Sequence, residues 1–549
     1  MPGVVANFVK GQKLLLPTSR SPCSHRRSAR AGRSTMSVGS KRQALRDLSF
    51  GSQIAEEERE ALRGYFVKTQ AWDRIFNGDI DIIYGPKGSG KSALYVLIQD
   101  QDGALFDRGV LLVGAENPQG SPAFRDLSTS PPTSEREFVN IWKLYFLTLT
   151  ARVLNEYDVK NEHSFRLEKV LKDHQLLPDK KTTLGSILSS VRKYVIKYIN
   201  PHSVEGNVDL DPNSTVTKFS GKIVFEEPDI KAQSEGYLSI DDLFGSAASA
   251  LKAAGYQVWI SIDRLDVAFD ESSELEKNAL RALFKAYRDV QSHAEIKLKI
   301  FLRTDIWKRI TQEGFREATH FSREVHLKWN KASLQNLIVR RLLNNAAVVA
   351  IYNVDSASTL SSTVEQEKFF ARVFPDQVEL GEKQSTTLDW ILKRTSDGTS
   401  EAQPRDIILF LNRLSEVQNQ RLERGENEPP GEGLFDRAAF KEALPALSEY
   451  RVTKVLYAEY PELRPRIEAM REQKTEHNAD SLARIWSVPS EAALVVARKL
   501  KDVGFFEERS SKTTPIFWIP FVYRPYLSLV QGKADELQPV SNHLDAEDD

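Results

Sequence analysis

An α/β architecture is predicted for this 549-residue chain: a parallel sheet with flanking helices, then an all-α segment, then a small module of helices and strands at the C-terminal end. Three observations carry that expectation. Short apolar runs alternate with amphipathic helical stretches through about residue 330, the pattern of strands buried between helices. After Trp329 the helical period dominates to about residue 460. The remainder reads helix, helix, strand, turn, strand.

The elements follow in order. Residues 1–46 hold ten Lys or Arg and no acid. Residues 1–45 read as a disordered basic tail. An Arg- and Ser-rich targeting segment, or a true start at Met36, are the other two readings. A helical stretch around Glu56–Phe76 leads into "DIDIIYGPKGSGKSALYVLIQD", read as strand (Ile80–Tyr84), glycine loop and helix. Val110–Val113 is a second strand. Glu135–Glu156 carries Phe138, Ile141, Trp142, Tyr145, Phe146 and Leu149 at helical spacing, an aromatic set read as core rather than as a ligand cage. Residues 158–235 are polar and mixed and read as an insertion, with Val204–Phe225 as a β-hairpin excursion. An amphipathic helix, Ile240–Ala254, then feeds the strand Val258–Ile262. A helix at Glu274–Ser292 and strands at Leu298–Leu302 and Val325–Leu327 complete a first domain, 46–330. A helical lid, 331–460, contains the surface loop "EPPGEG". A terminal domain, 461–535, and an acidic tail, 536–549, end the chain.

Composition removes several classes of function. Hydrophobic residues make up 41% and charged residues 28%, ordinary for a globular protein. No apolar run approaches the roughly 18 residues of a membrane helix, so an integral membrane protein is not expected. The one cysteine, Cys23, excludes a disulfide framework and any cysteine-based metal site, and fits a reducing, cytoplasmic setting. Beyond the basic N-terminal segment the chain has 65 bases against 76 acids, so indiscriminate nucleic-acid binding is not expected.

The strongest signal is Gly85, Pro86, Lys87, Gly88, Ser89, Gly90, Lys91 and Ser92, a full match to G-x-x-x-x-G-K-[ST] between a predicted strand and a predicted helix. Glycines there let successive N–H groups turn toward phosphate oxygens, and the helix N-terminus adds partial positive charge. Lys91 is expected to bridge the β- and γ-phosphates of ATP, and Ser92 to ligate Mg²⁺. Magnesium also needs an acid at the end of a neighbouring strand. Asp263, after "VWISI", has that position, and a turn-capping Asp is the alternative.

Asp266 is the candidate for orienting the attacking water, against a merely solvated or salt-bridged Asp. Arg303 closes "KIFLR" and is placed to sense the γ-phosphate; pairing with Asp305 or Asp263 is the alternative. Arg405, one residue into a Pro-started helix, is placed to contact phosphate from above, against an ordinary surface arginine. Arg323 is a weak candidate for a finger acting on a neighbouring subunit.

The segments "GPKGSGKS", "VWISIDRLD", "KIFLRTD", "HLKWNKASLQNLIVRR" and "QPRDIILFLNR", in this order, resemble P-loop ATPases of the AAA+/STAND group, including archaeal origin-recognition-type ATPases. "IDRLD", "FLRTD" and "FWIPFVYRP" carry a closer resemblance to a largely uncharacterised bacterial P-loop ATPase family. The resemblance covers roughly 45–535. It implies a P-loop NTPase core whose acidic strand is separated from the glycine-loop strand by the "FLRTD" strand, then a helical lid and a C-terminal winged helix. It also implies Asp263 as the magnesium-linked acid, Arg303 as the strand-end sensor and Arg405 as the lid sensor. Many members have Glu after that acid where this chain has Arg264, which implies slow hydrolysis and a switch rather than a motor.

In the winged helix, Ser490–Val503 takes the recognition position, with Arg498, Lys499 and Lys501, and the wing adds Arg509 and Lys512. Glu491, Glu507 and Glu508 dilute that patch, so packing against the ATPase and contact with DNA are both open. The aromatics Phe517, Trp518, Phe521, Tyr523 and Tyr526 read as core. A regulatory ATPase that changes its association with a protein partner or with its own kind is the first functional reading, with bacterial defence or signalling as its implied setting. A DNA-associated ATPase is the second. A small-molecule kinase is disfavoured by chain length.

Overall fold

The computed structural model describes residues 40–115, 134–177, 182–199, 222–225, 237–265, 273–311, 314–510 and 515–534. Asp266, Lys512, the hairpin expected before residue 222 and both tails beyond these limits lie outside the described residues.

The central sheet has five strands: β1 (Ile82–Gly85), β2 (Val110–Gly114), β3 (Gln257–Ile262), β4 (Ile296–Arg303) and β5 (Glu324–His326). Their order is β2-β3-β4-β1-β5, and every pairing is parallel. Parallel strands covered on both faces read as apolar runs, which is why these segments stood out in the sequence. Alternate residues serve opposite faces. Ile82, Val258, Ile260 and Ile300 join one core cluster, whereas Ile83, Trp259 and Phe301 join another. Helix Glu135–Glu156 puts Trp142, Tyr145 and Phe146 into the first of these, as core. Two helices from the expected insertion, Glu162–Asp173 and Leu184–Ile199, add Leu167, Leu171 and Val191 to the same cluster. Of the expected hairpin, only Lys222–Val224 is a described strand. It pairs in parallel with Tyr237–Ser239.

The acidic strand β3 is separated from β1 by β4. From β1 the chain departs toward β2 at one edge and returns to β5 on the other side. β1 is therefore the topological switch point, and its carboxyl end is where open α/β sheets bind ligands. In register, Gly85 lies opposite Arg303.

After the sheet in chain order, helices including Lys331–Leu343, Pro404–Glu423 and Arg437–Tyr450 share one apolar core with the terminal module. Helix Lys41–Asp47 also belongs to this core through Ala44 and Leu45, so the expected basic tail reaches too far by its last residues. Its Ser40 side chain caps the helix by accepting from Gln43 N–H at 3.2 Å. The terminal module has helices Ala479–Trp486 and Ser490–Asp502 and four strands: β6 (Lys474–His477), β7 (Glu507–Ser510), β8 (Pro515–Trp518) and β9 (Val530–Lys533), ordered β9-β6-β8-β7. Phe517 and Tyr523 are fully buried there. No described helix is long and apolar enough to cross a membrane.

Candidate functional site

The segment 85–92 turns between β1 and helix Lys91–Gln99 by using positive φ at Gly88 (86°) and Gly90 (96°). L-residues rarely adopt that conformation, so glycine is required at both. Gly90 is the N-cap of the helix, and the first amides of the helix face the loop. Lys91 Nζ donates to the carbonyls of Gly85 (2.8 Å) and Pro86 (3.0 Å), curling back over the loop. Trp329 pins the loop from the other side, its indole N–H donating to the Ser89 carbonyl at 2.8 Å. The buried Ser89 Oγ has no hydrogen-bond partner among the described residues.

A cavity of about 890 Å³ opens over this loop. Lys87–Ser92, Asp263, Arg303 and Arg405 all line it. Thus the carboxyl end of β3, the end of β4, the glycine loop and helix Pro404–Glu423 meet at one concave surface. Asp263 is buried immediately beyond β3. Arg405 touches the loop directly. Its backbone N–H donates to the Gly88 carbonyl at 3.3 Å, and a Cβ on Gly88 would stand 3.0 Å from its own Cβ.

Arg303 does not reach the cavity as a lone cation. It grips Asp305 (Nη2–Oδ2 2.8 Å) and Glu459 (Nη2–Oε2 2.6 Å). Burial works against its charge, but Asp305 and Glu459 more than offset that and hold it protonated. Lys87 also binds Glu459. Arg264, in the left-handed region at φ 58°, is paired with Glu56 of the N-terminal segment, and both line the cavity. Arg323 is engaged with Asp81 at 2.7 Å and with the Gly78 carbonyl, outside the cavity lining.

Three participants escape the motif search. Glu459 lies far along the chain in a segment without a signature. Arg341 is buried against Glu58 (2.9 Å), which also accepts from the Tyr65 hydroxyl. Arg340 lines the cavity half-buried, with Asn336 as its hydrogen-bond partner at 2.7 Å. Burial alone pulls its guanidinium below the usual value. Among the described residues neither Arg340 nor Arg405 makes an ion pair, although Asp406 lies close enough to feel the charge of Arg405. Both guanidinium groups remain open to an anion in the cavity.

The residues present fit a magnesium-bound nucleotide: a glycine turn with positive φ at Gly88 and Gly90, a buried Ser89 hydroxyl with no partner among the described residues, and Lys91, Ser92, Asp263, Arg340 and Arg405 on one cavity wall. Among the described residues no group of three or more His, Cys, Asp or Glu side chains could hold a metal by itself.

No protein-family model matches the chain, and no curated protein matches it. Among solved structures, the chain is similar to the ORC1 protein of Aeropyrum pernix in complex with DNA, at 12% identity and a TM-score of 0.32, covering 89% of this chain and 92% of that one. It is similar to the ORC2 protein of the same organism in ADPNP and ADP complexes, at 12% identity and a TM-score of 0.33, covering 87% and 93%. For the Drosophila ORC bound to DNA the values are 10%, 0.23, 92% and 95%.

Proposed function

We propose that this chain binds Mg²⁺-ATP in the cavity over the glycine loop, hydrolyses it slowly, and uses the nucleotide as a conformational switch. The observation that supports this best is the convergence of Lys87–Ser92, Asp263, Arg303, Arg340 and Arg405 on one cavity. In this reading the 85–90 turn holds the phosphates through the backbone N–H groups of Lys87, Gly88, Ser89 and Gly90, Gly85 and Pro86 shaping the turn since proline has no N–H to donate, with Lys91 turning from its two loop carbonyls to the β- and γ-phosphate oxygens. Ser92 and Asp263 hold the magnesium, which when bound neutralises charge developing on the phosphate oxygens. Arg405 contacts phosphate from the helical segment, Arg303 reports the terminal phosphate, and Asp266 orients the water. Arg264 supports slow turnover. It stands next to Asp263 with Glu56 as its partner, at a position where a carboxylate would serve hydrolysis better.

In domain terms, 46–330 is the ATPase core, 331–460 a lid and 461–535 a winged helix. The switch then acts by altering association with a protein partner or with another copy of the chain. The resemblance to bacterial P-loop ATPases supports a setting in defence or signalling. The test is turnover with Asp263→Ala. The variant should still bind nucleotide yet lose Mg²⁺-dependent phosphate release by about a hundredfold or more; wild-type turnover would remove Asp263 from its role.

A second reading, DNA association, is favoured by Arg498 and Lys499, both exposed on helix Ser490–Asp502. It is weakened where Lys501 pairs with Glu508 (2.6 Å) and Arg509 with Glu507 (3.1 Å). A DNA pull-down across a salt titration, with and without ATP, separates the two readings. Salt-sensitive, ATP-dependent retention supports this one.

A further inference from the structure

We propose that Glu459 is the residue by which the cavity tells a nucleoside triphosphate from a diphosphate: its carboxylate stands between Lys87 and Arg303 as an internal anion that a terminal phosphate must displace. This deepens the nucleotide reading given above and rests on it. Lys87 belongs to the glycine loop and Arg303 to the end of β4, two strands side by side whose registers place Gly85 opposite Arg303. Each has reached across to the same carboxylate. Lys87 Nζ donates to Oε1, and Arg303 donates through Nη1 to Oε1 (3.3 Å) and Nη2 to Oε2 (2.6 Å). A guanidinium fork and an ammonium closing on two oxygens is also the geometry with which proteins hold a phosphate.

The carboxylate comes from a different part of the chain. Glu459 ends the short helix Tyr457–Glu459, reached through a π-helical turn at Arg451–Leu456. Its neighbour Tyr460 donates to Asp305 Oδ2 at 3.4 Å, and Asp305 is the second acid on Arg303. Burial opposes the Glu459 charge, but Arg303 and Lys87 outweigh it and hold the carboxyl below the usual range, so it is ionised at neutral pH.

A diphosphate seated in the loop leaves this cluster intact. A third phosphate brings negative charge to the two cations that Glu459 already occupies. Like charges at one site repel, so either the carboxylate withdraws or the triphosphate binds weakly. Withdrawal releases the Tyr457–Glu459 segment, which leads directly into the terminal module. One exchange of anions thereby couples the nucleotide's length to the C-terminal part of the chain.

The experiment is a calorimetric titration of the full chain with Mg²⁺-ADP and with a slowly hydrolysed Mg²⁺-ATP analogue, for wild type, Glu459→Gln, Glu459→Asp and Glu462→Gln. Glu459→Gln should tighten the triphosphate about tenfold and change ADP by less than about twofold. Glu459→Asp, which keeps the charge, should preserve the wild-type ratio within about threefold, as should Glu462→Gln at an exposed site on the same segment. It also decides the matter if Glu459→Gln does not fold, because a shift as large as tenfold in Glu459→Asp contradicts a charge-based gate. An unchanged ratio in Glu459→Gln, or weaker triphosphate binding, overturns the proposal while leaving the nucleotide site standing. Failure of the wild-type chain to bind either nucleotide overturns the site itself and the proposal with it.

Discussion

Gly88 concentrates two constraints in one residue. Its φ of 86° suits glycine, and any Cβ would press on Arg405 at 3.0 Å. Gly88→Ala should therefore cost about 1–3 kcal/mol of stability for the strained backbone. It should also weaken nucleotide binding, because the loop and Arg405 must separate. Thermal melting and nucleotide titration on the same sample check both effects; wild-type values in both would show that the loop tolerates a side chain. Arg264 is the contrasting case, an L-residue in the left-handed region directly after the buried Asp263. Its pairing with Glu56 supplies a tether for that sparsely populated conformation.

Between elements, one buried guanidinium joins the helix that carries Arg405 to the terminal module. Arg451 binds Asp397 (2.7 Å), Asp406 (3.5 Å) and the Tyr523 hydroxyl (3.1 Å). Asp406 follows Arg405 in the chain, so the hub sits one residue from the cavity lining. Arg451→Ala should destabilise the fold by about 3–5 kcal/mol, because it strands two carboxylates without their partner. Burial already raises the Asp406 pKa, with Arg451 the main force opposing it. Without Arg451 the folded value rises further. A carboxyl with a raised folded pKa is destabilising above that value and is relieved as pH falls toward the unfolded value. The loss in the variant should thus shrink between neutral pH and about pH 4. Denaturant melts across that range measure it, and a loss below about 1 kcal/mol at pH 7 would mean the hub carries little.

Across the whole molecule, what the sequence made legible was whatever repeats at short range. The strand expected at Leu298–Leu302 is found at Ile296–Arg303, and the helix expected at Glu135–Glu156 has those bounds, because apolar spacing alone specifies such elements. The glycine loop was legible because phosphate binding demands fixed residues at fixed offsets. The polar strands β6 and β9 were not, since "KTEH" and "VQGK" lack an apolar run and become strands through pairing, β6 with both β8 and β9 and β9 with β6. Glu459 was invisible for a related reason: 372 positions separate it from Lys87, and only the folded chain brings them together. Arg340 was hidden in "IVRR", where periodicity cannot tell the cavity-facing arginine from the buried Arg341. The glycine loop and Arg340 line one cavity, which we propose is a phosphate site, and calorimetric titration with Mg²⁺-ATP of the wild-type chain against Lys91→Ala tests that proposal directly. Saturable binding at one site that weakens by about tenfold to a hundredfold or more in the variant is expected, because a charge-assisted contact to phosphate is lost; equal affinity in the two proteins would contradict it.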